Sequence, residues 1–158
     1  MFISIGARIL ANIEAFNAVE TVGNVTKHRR APVIIRSDRG FKLYYVPTVS
    51  GEAIANAYQR HLVEITKEIY AREKVKPPLT DWDLRYEFVK FMDKEHLTPS
   101  LKKIVELNIS IDEKKHLFEK KAVEESIIAD IAGFLYAEED LPVKRTSRFQ
   151  SGYMMPTY

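Results

Sequence analysis

Ala31-Pro32-Val33-Ile34-Ile35-Arg36-Ser37-Asp38-Arg39-Gly40-Phe41-Lys42-Leu43-Tyr44-Tyr45-Val46-Pro47, running on to Ser50-Gly51-Glu52, is the stretch on which the fold turns. Two apolar, β-branched and aromatic runs flank Ser37–Gly40. Asp and Gly in a short connection are turn residues, so 31–46 read as a β-hairpin. Pro47 ends its second strand, and Ser50 is a good helix N-cap. From there Ile54, Ala57, Tyr58, His61, Leu62, Ile65 and Ile69 recur at three- and four-residue spacing. That spacing predicts an amphipathic helix to about Arg72. The period therefore changes from two to 3.6 within a few residues, and the chain mixes sheet and helix.

Outward from this point, residues 2–13 alternate: Ile3, Ile5, Ala7, Ile9, Ala11 and Ile13 against Ser4, Gly6, Arg8 and Asn12. Period two predicts a first strand with Arg8 and Asn12 on its open face. Pro77-Pro78 stops the first helix. Asp81 is read as the cap of a second, with Trp82, Tyr86 and Val89 on one stripe and Leu84, Phe88 and Phe91 on another. Thr98-Pro99 opens a short helix through Leu107, and residues 112–129 form a charge-rich fourth. Residues 131–136 read as strand, and a turn at 138–142 leads into a further strand over Val143–Met155. Phe41, Trp82, Phe88 and Phe91 are assigned to the core. The order of strand, hairpin, four helices and hairpin is α+β.

The formal net charge of +2 hides a segregation. Residues 1–60 carry eight Lys/Arg against four Asp/Glu, residues 61–142 thirteen against eighteen, and residues 143–158 three against none. Such a division points to a localised anion site, with a polyanion held by the two ends of the chain. No cysteine is present, which removes disulfides, thiolate chemistry and Cys-ligated zinc. No apolar run reaches the roughly 18–20 residues of a membrane span, and Met1–Ile5 lack the basic start of a signal peptide. A cytoplasmic protein is expected.

The basic residues form two groups. Gly23-Asn24-Val25-Thr26-Lys27-His28-Arg29-Arg30, read as a loop, offers two guanidinium forks and a lysine for phosphate oxygens; the ordinary alternative is a solvated basic loop. In 144–150, alternation puts Lys144, Thr146, Arg148 and Gln150 on one face and Arg145, Ser147 and Phe149 on the other. A charged edge strand is the plainer reading of that segment. The Ser50-Gly51 helix start adds free N–H groups. Tyr44, Tyr45, Phe149 and Tyr153 could stack bases. Enzyme signals are poor: His28, His61, His96 and His116 lie far apart, and no phosphate loop, nucleophile elbow or metal spacing is present. Neither a cofactor nor a metal is expected.

Arg8, Asn12, Gly23-Asn24, Lys27-His28-Arg29-Arg30-Ala31-Pro32, Tyr45-Val46-Pro47, Ser50-Gly51-Glu52, Asp130-Ile131-Ala132-Gly133-Phe134-Leu135-Tyr136 and Arg145-Thr146-Ser147-Arg148-Phe149-Gln150 occur in the order found in the DevR-type CRISPR-associated family. The chain resembles that family over its whole length. The resemblance implies a partial ferredoxin-like palm of the modified RNA-recognition type, from residues 1–74 and 129–158, with a helical insertion at 75–128. It also implies a non-catalytic backbone subunit of an archaeal type I-A Cascade complex. Its partners would be the guide crRNA, further copies of itself, other Cascade subunits and, through the guide, target DNA; no membrane partner is implied. Carried over by position, Arg8, Asn24, Lys27, His28, Arg29, Arg30, Ser50, Gly51, Arg145, Ser147 and Arg148 become RNA contacts. Members of the family are longer, so the resemblance also implies an incomplete palm with an exposed strand edge. Two alternatives stay open: a metal-independent endoribonuclease using His28, and a DNA-binding regulator, although no clear helix-turn-helix stands in a basic context.

Overall fold

The structure, a computed structural model, describes residues 2–12, 18–22 and 25–157. Among the described residues the secondary structure is mixed α+β, with three two-stranded antiparallel sheets and five helices. The chain divides into two compact units, residues 1–54 with 151–158, and residues 55–150.

In the first unit, β1 (Ala18–Val22) pairs with β2 (Val25–His28), and β3 (Arg30–Ser37) with β4 (Gly40–Pro47). The hairpin expected at 31–46 is present and tighter than its four-residue reading. Ser37 pairs with Gly40, leaving only Asp38-Arg39 as the turn. Gly40 closes it at φ +117°, a conformation glycine adopts without a Cβ clash. Val46 and Thr48 are buried.

Three expectations for this unit are corrected. Residues 2–12 form no strand, and Ile3, Ile5 and Ile9 are 66–87% exposed. Alternation shows which side chains would share a face, but a strand also needs a ladder partner, and no described strand pairs with these residues. Ile13 lies outside the described residues. Of the supposed loop at 23–30, residues 23 and 24 lie outside the described residues, and 25–28 are strand, because β-branched Val25 and Thr26 continue into Lys27 and His28 opposite Ala18–Val22. Phe41 is not core: it is 78% exposed on the hairpin face that also carries Ile34, Leu43 and Tyr45.

Helix α1 (Gly51–Arg72) keeps its expected limits, and Ser50 Oγ accepts the Ala53 N–H at 3.3 Å. Its buried face is Gln59, Val63 and Thr66, whereas Ile65 and Ile69 are half exposed. Thr66 fits indoors because its hydroxyl donates to the Leu62 carbonyl at 2.6 Å.

In the second unit, α2 (Asp81–Leu84) is a single turn capped by Thr80, not a helix to Phe91. Tyr86, Lys90 and Phe91 have φ of +59°, +48° and +59°, so 85–91 is a left-handed elbow. No Gly or Pro announces it; packing imposes it. Phe91 drops into the core edge-on to Phe134, with ring centroids 5.9 Å apart. Trp82 and Phe88 are only partly buried. Helix α3 (Pro99–Glu106) starts at its Thr98-Pro99 signal. Helix α4 (Ile111–Glu125) starts one turn-residue earlier than expected, at a Ser110/Glu113 capping box. Ser126 breaks it, and α5 (Ile127–Ala132) follows. β5 (Phe134–Tyr136) then pairs with β6 (Val143–Arg145), and the long strand expected to Met155 ends at Arg145.

The main core joins Phe91, Leu97, Leu101, Phe118, Ala122, Phe134, Tyr136 and Val143; Val63, Leu79 and Ile128 form a second cluster. No described helix is long and apolar enough to cross a membrane.

Candidate nucleic-acid interface

Each unit carries one of the two basic groups. In the first unit, Lys27 and His28 sit at the end of β2, Arg29 lies between strands, and Arg30 opens β3. Lys27, Arg29 and Arg30 are exposed and His28 is half-buried. The Arg29 carbonyl accepts the Thr48 N–H at 2.9 Å, which ties this corner to the approach to α1. The Glu52 carboxyl is held below its ordinary range, first by its own backbone N–H, then by Ser50, and in smaller part by the Arg29 charge. Arg29 and the α1 start are therefore neighbours, and Arg30 pairs with Pro47. Arg8 is exposed; Asn24 lies outside the described residues.

The α1 start is more enclosed than the sequence suggested. Ser50 is 3% exposed and occupied as a cap. A Cβ on Gly51 would stand 2.6 Å from the Ser151 carbonyl oxygen, and Ser151 Oγ donates to the Gly51 carbonyl at 2.7 Å. Glycine is needed here so that the 151–154 segment can close over the helix end, held further by the Val49–Met154 bridge.

In the second unit, the expected two-faced segment exists without being a strand throughout. Lys144, Thr146, Arg148 and Gln150 are exposed, and Arg145, Ser147 and Phe149 are half-buried. Arg145 is held intramolecularly: its guanidinium donates to Glu119 Oε1 at 2.7 Å, to the Asp130 carboxylate, and to the Asp130 carbonyl at 3.2 Å. Arg148 keeps 64% of its side chain exposed, with Asp130 at 3.7 Å. Ser147 shapes the backbone, accepting the Phe149 N–H at 3.2 Å and donating to the Phe149 carbonyl at 2.6 Å. Phe149 is already stacked on Tyr58, at 4.1 Å between centroids and 7° between planes. Among the described residues, no group of three or more His, Asp or Glu is placed to hold a metal.

Sequence reasoning missed Lys90 altogether. It lies in the left-handed elbow and lines a cavity with Lys144, Arg145, Thr146 and Ser147. No spacing rule connects position 90 to position 144.

A family model described as "CRISPR-associated negative auto-regulator DevR/Csa2" matches residues 5–158. A Saccharolobus solfataricus protein titled "CRISPR-associated aCascade subunit Cas7/Csa2 2" is 42% identical over 154 residues, 98% of this chain and 44% of its own. A second protein from that organism, "CRISPR-associated protein Cas7/Csa2 1", is 35% identical over 159 residues, again 44% of its length. The chain thus spans less than half the length of the curated relatives it matches.

Proposed function

The chain belongs to the DevR/Csa2 family of CRISPR-associated proteins, and from that membership we propose that it serves CRISPR antiviral defence as a non-catalytic, guide-RNA-binding backbone subunit of a Cascade complex. The observation that carries the proposal is chemical. Exposed cations crowd one corner of the first unit (Lys27, Arg29, Arg30) and one strip of the second (Lys144, Arg148). Each strip is suited to the oxygens of a ribose-phosphate chain. Lys and Arg displace its counterions, and backbone contacts of this kind fix register without reading bases.

Arg8, Asn24, Lys27, His28, Arg29 and Arg30 are the proposed RNA contacts of the first group. Ser50 and Gly51 serve it from the α1 start, whose position they secure. In the second, Arg148 is the open guanidinium, Ser147 sets the bend that presents it, and Arg145 reaches a phosphate by exchanging one of its two carboxylate partners. The proposed architecture is the ferredoxin-like palm of 1–74 and 129–158 with the helical insertion 75–128. The proposed partners are guide crRNA, further copies of the chain, other Cascade subunits and target DNA through the guide.

The test is a salt titration of binding to single-stranded repeat RNA. Arg29→Ala with Arg30→Ala is expected to weaken binding of every sequence alike and to lower the log–log salt slope by about 1.4, at roughly 0.7 per phosphate. An unchanged slope removes those two residues from the interface. The family description also names an auto-regulator, so duplex DNA belongs in the same assay; preference for duplex over single strand would favour a DNA-binding regulator instead. Cleavage of the repeat RNA that disappears in His28→Ala would favour an endoribonuclease.

A further inference from the structure

The cavity of about 580 Å³ beside β5 and β6 falls within the roughly 300–1,000 Å³ of small-ligand sites. It lies wholly within the second unit. Its walls carry Lys90, Lys144 and Arg145 and no acidic residue. Arg145 is neutralised by Glu119 and Asp130, which leaves two ammonium groups as the uncompensated charge. Lys90 makes no hydrogen bond or ion pair with another described residue, and burial pulls its pKa down, offset in part by the charge of Asp83. A desolvated ammonium without a contacting anion is a costly arrangement. The left-handed φ of +48° at the same residue adds to that cost. Met92 and Leu135, each about half exposed, add apolar surface to the lining. Cations beside apolar surface in one cavity match a nucleotide, which joins a phosphate to a flat, weakly polar ring.

We propose that this cavity takes one nucleotide unit of the bound single-stranded RNA, its phosphate met by Lys90 and Lys144 and its sugar and base lying on Met92 and Leu135. The inference rests on the RNA-binding reading and adds Lys90 to it as a contact residue.

Lys90→Asn tests it, because asparagine tolerates a positive φ and the charge is lost without new backbone strain. With labelled oligouridylate, the variant is expected to bind about five- to tenfold more weakly, with the salt slope lower by about 0.7. Lys90→Arg should keep most of the affinity. A normal slope in Lys90→Asn, alongside a reduced slope in the Arg29/Arg30 double variant, overturns the cavity and leaves the wider reading standing. No binding of RNA by the unaltered chain overturns both. Amine acetylation of the unaltered chain, read by mass spectrometry, needs no variant. RNA is expected to protect Lys90 and Lys144 severalfold. Equal labelling with and without RNA overturns the proposal, as does equal protection by polyglutamate, which would mark the cavity as a surface for acidic protein.

Discussion

Asp83 is 2% exposed, yet its carboxylate has three donors: the Thr80 N–H at 2.9 Å, the Thr80 hydroxyl at 2.8 Å and the Ser126 hydroxyl at 2.9 Å. Those bonds offset the desolvation of a buried charge. They also join the first turn of α2 to the α4–α5 junction, where Ser126 accepts the Ala129 N–H at 3.0 Å. Asp83→Ala leaves two hydroxyls and an amide without an acceptor. We expect a loss of about 2–3 kcal/mol, seen as a lower urea midpoint at unchanged m. An unmoved midpoint would mean that the carboxylate's desolvation consumes all that its bonds return. The cap is Thr80, one residue before the Asp81 expected from the sequence, with Asp83 at the third helical position. The bond to Ser126, 43 positions away, is not legible in the sequence, because only the fold brings the two together.

Among elements, the passage from α5 into β5 depends on Gly133. Its φ is +70°, and a Cβ there would stand 2.4 Å from the Arg145 carbonyl oxygen and 2.6 Å from the Ser147 N–H nitrogen. Both are backbone atoms of the facing segment and cannot rotate away. Gly133→Ala is expected to cost at least about 2 kcal/mol, from strain and from displacement of 145–147. Thermal unfolding measures that loss. Because the displaced residues belong to the proposed RNA strip, affinity for RNA should fall even at temperatures where the variant remains folded. The elbow at 85–91 shows the same priority of packing over local preference. Arg85 lies over Trp82 at 4.3 Å, Arg60 over Tyr86 at 4.6 Å, and the Tyr86 hydroxyl donates to Glu64. These contacts and the burial of Phe91 offset three left-handed residues, each of which costs roughly 1–2 kcal/mol.

Across the molecule, hydrophobic burial is concentrated in the second unit, where both apolar clusters lie. Residues 3–11 are exposed and outside helix and strand. Hydrogen exchange should therefore be fast for the amides of 3–11 and slowest in α4 around Phe118 and Ala122. Equal protection in the two regions would show that Ile3, Ile5 and Ile9 are covered in solution. By itself the sequence determined the β3–β4 turn, the Ser50 and Thr98 caps, the limits of α1, the alternation of 144–150 and the separation of charge. All of these follow from neighbours a few positions apart, where backbone preference and side-chain spacing act directly. Only the tertiary structure decided that Phe41 stays outside, that α1 buries Val63 rather than Ile65, that 2–12 pairs with no described strand, and that Lys90 and Lys144 line one cavity. Local pattern says which residues share a face. Whether that face is covered depends on a surface from a distant part of the chain, and no short-range rule encodes its position.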